Sequence, residues 1–363
     1  MNVTRPTIME IDLNAFEHNV NELQKYVGEN VKIMPILKAN AYGTQINTIL
    51  DMVNKFDIVG VAFVDEGITL RELGYEKEIF ILNQPYENEI ENITKYNLTI
   101  GVSSNDFLEK IGNTNKNVTV HIEIGTGMGR TGINPVRVKE YIERIKQYSN
   151  IKIEGIYTHL SSADIDKEYT EKQLNSFEIA VKTAKEILGD LKYVHSAGSN
   201  GILNFKSSHY NLVRPGITLY GYKSAEDTYK KINLKPVAKL KSKITLLKIV
   251  KENTSIGYGR SFVTKRETKV ATIPIGYADG FCRGNSNKGY VLIQGEKATV
   301  IGNVCMDAIM VDVTNIEDVK LGDDVYIWDN EKITLEELAN LNGTINYEVL
   351  STVSYRVPRV FEN

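Results

Sequence analysis

Cysteine is nearly absent from this 363-residue chain, which contains only Cys282 and Cys305. The two cysteines form no CxxC spacing and stand in no cluster with histidine. They therefore support neither a disulfide framework nor a zinc site, and we expect no metal centre in this protein.

The chain also lacks an excess of one charge and any long apolar run. Its 43 basic and 46 acidic side chains leave a net charge of −3, so nothing in the composition points to a nucleic-acid partner. No run is long enough to span a bilayer, and no apolar signal region opens the chain. We therefore expect a cytoplasmic protein without a membrane partner.

What the chain has instead is an alternation of short β-branched runs with amphipathic segments, from residue 31 to about 217. Helical patterns such as 64–73 and 169–188 lie between the runs. Eight runs predict strands, at 31–37, 58–63, 78–82, 98–102, 118–124, 153–159, 193–196 and 212–213. Eight alternations of strand and helix predict a (β/α)8 TIM barrel better than an open doubly wound sheet.

The pattern of predicted elements changes after about residue 232, where strands follow one another without helices between them. Six are predicted, at 240–250, 269–275, 290–293, 298–301, 308–313 and 324–328. A short helix at 335–341 interrupts this pattern, and the chain closes with 347–361. We therefore predict an α/β protein with a barrel at 1–232 and a mainly-β domain at 233–363.

Lys38 ends the first predicted strand and stands just before a turn. Burying an ammonium group is costly unless the lysine pairs or loses its proton. Lys38 is therefore a candidate amine for Schiff-base chemistry, although a lysine that only marks the exposed end of a strand is the alternative. Reactive residues of such barrels lie at the carboxyl ends of the strands, and the segments 125–130, His159, 196–201 and 214–217 fall there too. This coincidence favours a functional Lys38.

The loops after the seventh and eighth strands commonly bind phosphate in barrels, through backbone N–H groups and small hydroxyls. Ser199, Gly216 and Ile217 suit that role, although Gly216 is also compatible with a simple turn. A phosphate held opposite a Schiff-base lysine predicts pyridoxal 5'-phosphate as the cofactor, with its ring as an electron sink.

Arg214 is the predicted partner of the cofactor's ring nitrogen, because a guanidinium is a permanent donor. Such a partner leaves the nitrogen unprotonated, weakens the electron sink and discourages transamination. His159 is predicted to stack near the ring or to hold Arg214; a core histidine bonded to backbone is the alternative.

The chain resembles the alanine racemases, which are pyridoxal-phosphate enzymes with a (β/α)8 barrel followed by a β domain. Segments 10–13 and 18–20 resemble the opening of that family, Lys38 stands at its cofactor lysine, and the resemblance runs nearly end to end. It implies interconversion of L- and D-alanine, which supplies D-alanine for the peptidoglycan of a bacterial cell wall.

Racemisation requires an acid/base group on each face of the α-carbon. Lys38 serves one face, and the resemblance assigns the other to Tyr258, in the motif Gly257-Tyr258-Gly259. A tyrosine with an ordinary pKa of about 10 needs a cationic or hydrogen-bonding neighbour to act as a base, and Arg214 and His159 are candidates. A turn tyrosine between two strands is the alternative.

The resemblance also implies a homodimer with shared active sites, because the family supplies the segments around Tyr258, Tyr277 and Met306 to the partner subunit. Met306 and Arg130 match the residues that bind the substrate carboxylate, and Tyr277 matches one that forms the entrance. The complete predicted cofactor-binding set is Lys38, Tyr42, His159, Ser199, Arg214, Gly216, Ile217 and Tyr347.

Three positions depart from the family pattern. Glu123 replaces a lysine that is often carbamylated, Gly125 replaces an aspartate, and Thr44 replaces a histidine. A carbamate and a glutamate are both anions, so we expect Glu123 to hold Arg130 by a charge-assisted pair.

Three alternative functions share parts of this pattern. A serine or mixed alanine/serine racemase has the same fold, but serine racemases tend to carry asparagine where Tyr347 stands, and usually an additional membrane-spanning half. A non-catalytic pyridoxal-phosphate carrier can be a lone barrel, and an amino-acid decarboxylase can share the two-domain plan. The β domain with Tyr258 favours the alanine racemase.

Overall fold

The computed structural model of the protein describes residues 4–223 and 232–362. These residues form two compact units. The barrel unit comprises residues 16–41, 46–223 and 232–235. The β-rich unit comprises residues 4–15, 42–45 and 236–362.

Eight parallel strands form the ring of the barrel unit. They are Lys32–Ile33, Ile58–Val61, Glu78–Ile81, Thr99–Val102, Val118–Glu123, Ile151–Tyr157, Tyr193–His195 and Leu212–Val213. The middle six pair in chain order, and the first pairs with the last. A bridge between Ile36 and Gly60 and a 2.9 Å hydrogen bond from Arg214 N to Ala197 O close the ring. The predicted barrel is confirmed.

The helices of the barrel unit follow its strands. They are Ile46–Val53, Val64–Glu72, Ile90–Lys95, Asn105–Gly112, Val138–Ile145, Lys167–Leu188 and Ser199–Asn204, and Leu13–Val27 precedes the first strand. Side chains cap several of them: Asp12 accepts from Ala15 N at 2.8 Å, Ser104 accepts from Phe107 N at 3.3 Å, and Asp166 accepts from Tyr169 N at 2.9 Å.

Central strands of the barrel are buried on both faces. Every residue of Ile58–Val61 and of Thr99–Val102 is buried, as expected for a parallel sheet that helices cover from outside. The side chains that remain available for binding therefore lie at the ends of the strands. No helix within residues 4–223 and 232–362 has both the length and the apolar character that crossing a membrane requires.

A nine-stranded sheet dominates the β-rich unit. Its spatial order is Leu246–Val250, Thr268–Ile273, Ile309–Asp312, Glu296–Val300, Tyr290–Ile293, Asp324–Trp328, Ala238–Lys243, Ile8–Asp12 and Arg359–Glu362. A hairpin of Ser255–Ile256 with Phe262–Val263 and the helices Leu335–Asn342 and Asn346–Ser351 complete the unit. The predicted mainly-β character of this part of the chain is confirmed.

The structure differs from the predicted strands in several places, among them the unpredicted hairpin of Ser255–Ile256 with Phe262–Val263. Ile8–Asp12 is a strand of the nine-stranded sheet, which the sequence reading missed. The predicted strand 240–250 is two strands, because Ala238–Lys243 pairs with Asp324–Trp328 and Leu246–Val250 pairs with Thr268–Ile273. The chain changes partner at Ile244, whose N–H donates to Asp323 O at 3.0 Å.

Candidate active site

Lys38 lies at the carboxyl end of the first barrel strand, two residues after the bridge that Ile36 forms with Gly60. The backbone N–H of Leu37 donates to Gly60 O at 2.8 Å, which fixes the chain immediately before the lysine. The side chain of Lys38 is half-buried. This is the rim position predicted from the sequence.

Lys38 is followed by a left-handed helical turn. Ala39, Asn40 and Ala41 have φ angles of 54°, 53° and 55°, a conformation that L residues rarely adopt in succession. Asn40 Oδ1 accepts from Ile46 N at 2.9 Å, which holds the turn. The turn reverses the chain directly after Lys38, so the geometry of the lysine depends on it.

The electrostatic surroundings of Lys38 favour its neutral amine. Burial lowers the pKa of Lys38, and the positive charges of Arg130 and Arg214 lower it further, while the carboxylate of Glu66 opposes them. A lysine must be neutral to attack a carbonyl, so a lowered pKa increases the fraction of reactive amine near neutral pH.

Glu66 is a site residue that the sequence reading missed. Its Oε1 accepts from Ala39 N at 2.6 Å, and its Oε2 accepts from Ala62 N at 2.7 Å. One carboxylate thus joins the left-handed turn to the start of the helix Val64–Glu72. The available signal was an acidic residue in the first turn of a predicted helix, which indicates capping but not contact with residue 39.

Arg214 is 4% exposed and surrounded by neutral acceptors. Its Nη1 donates to His195 Nδ1 at 2.8 Å, and its Nη2 donates to Thr158 O at 2.8 Å, to Ser196 O at 3.1 Å and to His159 Nδ1 at 3.2 Å. The contact between His159 and Arg214 is one of the two alternatives predicted for that histidine.

Burial and the neighbouring positive charges keep the partners of Arg214 neutral. Burial, with Arg214 as the next cause, lowers the pKa of His159 to about 3, and burial lowers the pKa of Arg214 itself to about 10. Arg214 therefore stays a cationic donor at neutral pH, and His159 stays an acceptor toward it.

The expected pair between Glu123 and Arg130 is not formed among the described residues. Glu123 is 4% exposed, and its Oε1 accepts from the Thr131 hydroxyl at 2.6 Å. Arg130 is exposed in the loop that follows the fifth strand. The shorter glutamate is satisfied by a nearer hydroxyl, which leaves the Arg130 guanidinium available to a carboxylate ligand.

The two loops predicted to bind phosphate touch each other. Ser199 begins the helix Ser199–Asn204, and its Oγ accepts from Gly216 N at 3.1 Å and lies 3.1 Å from Thr218 Oγ1. The side chain of Ile217 is fully buried, so only its backbone is suited to a polar ligand. Hydroxyls and backbone N–H groups gather here, the donor types that bind phosphate.

Two predicted phosphate-side tyrosines, Tyr42 and Tyr347, lie together in the β-rich unit. Their ring centroids are 6.2 Å apart at an interplanar angle of 49°. Burial raises the pKa of Tyr42, and Tyr347 raises it further, so the Tyr42 hydroxyl keeps its proton. Arg359 Nη2 donates to Gly43 O at 2.6 Å and holds the backbone next to Tyr42.

Tyr258 projects from a tight turn of the β-rich unit. It stands between Gly257 and Gly259, whose φ angles of 71° and 69° favour glycine, and its side chain is 74% exposed. Asn303 Nδ2 donates to Tyr258 O at 2.7 Å and anchors the turn. No charged neighbour from the described part of this chain hydrogen-bonds the Tyr258 hydroxyl.

Tyr277 and Met306 lie on segments that are hydrogen-bonded to each other. Tyr277 N donates to Cys305 O at 3.0 Å, and Ala278 N donates to Met306 O at 3.1 Å. Their side chains are 43% and 51% exposed. The segment 303–306 thus joins the turn of Tyr258 to the segment of Tyr277 within the β-rich unit.

A (β/α)8 barrel with a partly desolvated lysine at its rim, together with a separate β-rich unit, defines the class of two-domain pyridoxal-phosphate barrel enzymes. Comparison with known proteins identifies the family within this class. The family model "Alanine racemase, N-terminal domain" matches residues 11–224, and "Alanine racemase, C-terminal domain" matches residues 237–361.

Individual relatives agree with the family models. An alanine racemase of Halothermothrix orenii is 40% identical over an alignment of 374 residues, gaps included. The alignment covers 99% of this chain and 98% of that protein. The solved alanine racemase of Clostridium difficile 630 has a TM-score of 0.93 at 36% identity, covering 99% and 97% of the two chains. The Bacillus anthracis alanine racemase with bound L-Ala-P has a TM-score of 0.94 at 31% identity, covering 100% and 96%. This chain belongs to the alanine racemase family.

Proposed function

We propose that this protein is an alanine racemase that uses pyridoxal 5'-phosphate to interconvert L- and D-alanine. The observation that carries the proposal is the rim lysine, Lys38, whose pKa is lowered by burial and by Arg130 and Arg214 in a chain of this family. Once bound, the cofactor supplies an electron sink for the negative charge that develops at the α-carbon.

The donor set of the barrel unit fits the polar groups of the cofactor. Lys38 would present an amine to the cofactor's aldehyde, and Arg214 would present a permanent donor to its ring nitrogen. The hydroxyl of Ser199 and the backbone at Gly216 and Ile217 would hold the phosphate. We propose Tyr42 and Tyr347, which belong to the β-rich unit, as further donors. His159 holds Arg214 through its Nδ1.

The same chain supplies groups for the substrate. Arg130 would bind the substrate carboxylate, aided by Met306, since no described carboxylate occupies its guanidinium. Lys38 would move the proton at one face of the α-carbon, and Tyr258 at the other. A two-base mechanism requires Tyr258 to lie opposite Lys38, and we propose that the Tyr258 of the partner subunit does so.

A homodimer would bring Tyr258, Tyr277 and Met306 to the partner's barrel, with Tyr277 at the entrance. The exposure of these three side chains on segments that are hydrogen-bonded to one another supports this assembly, because aromatic and methionine side chains are enriched in interfaces. We also propose the division at residues 232 and 233, a cytoplasmic location and the supply of D-alanine to a cell wall.

The test is chiral chromatography of L-alanine and L-serine after incubation with the protein loaded with pyridoxal phosphate. We expect D-alanine to form faster than D-serine. Faster D-serine formation would contradict the substrate assignment, and no D-product from either amino acid would contradict the racemase itself. Carbon dioxide release from an amino acid would favour a decarboxylase.

A further inference from the structure

A line of hydrogen-bonded side chains runs through the interior of the barrel unit, away from Arg214. Arg214 Nη1 lies 2.8 Å from His195 Nδ1, and His195 Nε2 lies 2.9 Å from His121 Nδ1. His121 Nε2 then faces Glu78 Oε1 at 3.9 Å. Both imidazoles are fully buried.

The chemistry of these groups fixes every proton in the line. Arg214 only donates, so His195 Nδ1 accepts and the proton of that neutral ring is on Nε2. His195 Nε2–H then donates to His121 Nδ1, which places the proton of His121 on its Nε2. That N–H has no hydrogen-bond partner among the described residues and points toward the carboxylate of Glu78.

Neutral rings are required for this assignment, and the surroundings keep both rings neutral. Burial lowers the pKa of His121 to about 3. The negative charge of Glu154 raises this pKa, whereas the positive charges of Lys192 and Arg214 lower it further. Burial also lowers the pKa of His195, with Arg214 as the next cause. Neither ring carries a proton on both nitrogens at neutral pH.

Aromatic packing holds both rings in place. Tyr157 stacks on His195 with centroids 5.0 Å apart at 4°, and Phe80 stacks on His121 at 4.6 Å and 26°. Neither imidazole can turn over without displacing a neighbour, because barrel interiors are densely packed. The direction of the line is therefore set by Arg214 at one end.

Glu78 ends the line with a negative charge. Its Oε2 accepts from Lys192 Nζ at 2.8 Å and from Tyr193 OH at 3.2 Å, and its Oε1 accepts from Thr99 Oγ1 at 3.2 Å. Lys192 also pairs with Glu154 at 2.8 Å. Arg214, in contrast, directly hydrogen-bonds only neutral acceptors among the described residues.

We propose that His195 and His121 form a relay of fixed hydrogen-bond direction that positions the Arg214 guanidinium for the cofactor ring, with the Glu78 carboxylate 3.9 Å beyond its far end. The two histidines are positioning residues, which act through Arg214 and transfer no proton. The effect on the reaction rests on the proposed racemase function, whereas the arrangement of protons is a property of the protein alone.

Nitrogen NMR of the holoenzyme labelled with 15N-histidine tests the arrangement, since the chain has five histidines and single substitutions assign their signals. We expect His121 and His195 both to be neutral with the proton on Nε2, unchanged from pH 6 to 8. An Nδ1–H form or a doubly protonated ring at either position would overturn the relay. This result does not depend on whether the protein racemises alanine.

Two substitutions of His121 test the effect on Arg214. His121→Phe removes the acceptor for His195, while His121→Asn places a side-chain amide near the Nδ1 position. We expect His121→Phe to shift the absorption of the bound cofactor and to lower kcat about tenfold with KM within about twofold, and His121→Asn to restore most of both. Tyr193→Phe removes one hydrogen bond from Glu78 but leaves the links between Arg214, His195 and His121 intact, so it is the matched control and should change neither.

The outcomes separate the two proposals. An unchanged spectrum and kcat in folded His121→Phe would overturn the positioning role even if the tautomers are as expected. If the unmodified protein forms no D-alanine, the racemase function fails, while the spectrum of His121→Phe still reports whether the relay acts on the cofactor. Loss of kcat in Tyr193→Phe equal to that in His121→Phe would show a merely structural effect.

Discussion

The carboxylate of Glu66 affects the Lys38 amine in two opposing ways. Its hydrogen bond to Ala39 N, at 2.6 Å, holds the turn that begins after the lysine. Its negative charge raises the pKa of Lys38 against the larger lowering by burial and by the positive charge of Arg130. Support of the backbone and tuning of the amine therefore come from the same side chain.

Replacing Glu66 with glutamine should make Lys38 reactive at lower pH. The substitution removes a charge that raises the pKa of Lys38, so the amine loses its proton at lower pH. The measurement is the rate at which the apoprotein takes up pyridoxal phosphate, followed by absorption at a series of pH values. The rate should reach the same plateau at high pH, and the fall of the rate toward acid should occur at lower pH than in the unmodified protein. Asp65→Asn, an exposed neighbour on the same helix, should leave this fall at its original pH. A shift to higher pH would contradict the assignment.

Single residues could be predicted where their type and place are unusual. Lys38 and Arg214 are charged residues at the ends of apolar strands, where burying a charge is costly, and both are at least partly buried in the structure. Glu66, His121 and His195 could not be assigned, because their contacts join residues distant in the sequence. The expected partner of Arg130 was wrong, since a nearby threonine satisfies Glu123.

The left-handed turn after Lys38 is a strained element, and glycine should relieve part of its strain. A left-handed L residue costs roughly 1–2 kcal/mol, and glycine avoids that cost but gains about 0.4–1 kcal/mol of entropy in the unfolded chain. Ala39→Gly should therefore raise the free energy of unfolding by about 1 kcal/mol. Urea unfolding followed by circular dichroism measures the change.

The control for this prediction is a glycine in an ordinary right-handed helix. Glu171 lies exposed in the helix Lys167–Leu188, so Glu171→Gly should lower the free energy of unfolding by about 1 kcal/mol. If both substitutions destabilise the protein equally, residue 39 is not held in a left-handed conformation in solution.

Ion pairs hold the segment that carries Tyr277 in the β-rich unit. Asp279 is fully buried, and its Oδ2 lies 2.7 Å from Arg5 Nη2 and accepts from Gly276 N at 3.0 Å. Arg356 lies 3.6 Å from Asp279 Oδ1 and donates to Asp307 at 2.6 Å. Within the segment that carries Tyr277, the negative charge of Asp279 thus faces two guanidinium groups.

Asp279→Asn should destabilise the protein by about 2 kcal/mol, because it removes a buried charge that faces two partly exposed guanidinium groups. Thermal unfolding of the holoenzyme at fixed concentration measures the loss. Asp307→Asn is the matched control: its side chain is 59% exposed, so its loss should stay below about 1 kcal/mol. Equal effects from the two substitutions would contradict a special role for the buried carboxylate.

Elements could be predicted wherever their pattern is local. The alternation of apolar runs and helices predicted all eight barrel strands, because strands such as Ile58–Val61 and Thr99–Val102 are buried on both faces and read as apolar runs. The strand Ile8–Asp12 was missed because its partners, Ala238–Lys243 and Arg359–Glu362, lie at the other end of the chain. The residues 8–12 alone do not show which distant strands they pair with.

At the scale of the whole molecule, the proposed homodimer makes a prediction that no single chain can satisfy. If Lys38 of one chain works with Tyr258 of its partner, then a Lys38→Ala chain paired with a Tyr258→Phe chain has one intact site and one site that lacks both groups. Each parent homodimer has two defective sites and should be inactive. Activity should therefore appear only when the two variants exchange subunits.

Random exchange of equal amounts of the two variants makes half of the dimers hybrids, each with one of two sites intact, so the mixture should recover about a quarter of the wild-type activity. Lys38→Ala mixed with Arg130→Ala should give no recovery, because both substitutions lie in the barrel unit and every site then lacks one of them. If the catalytic pair came from one chain, neither mixture would gain activity. Recovery in the first mixture alone therefore identifies a site assembled from the barrel of one subunit and the β-rich unit of the other.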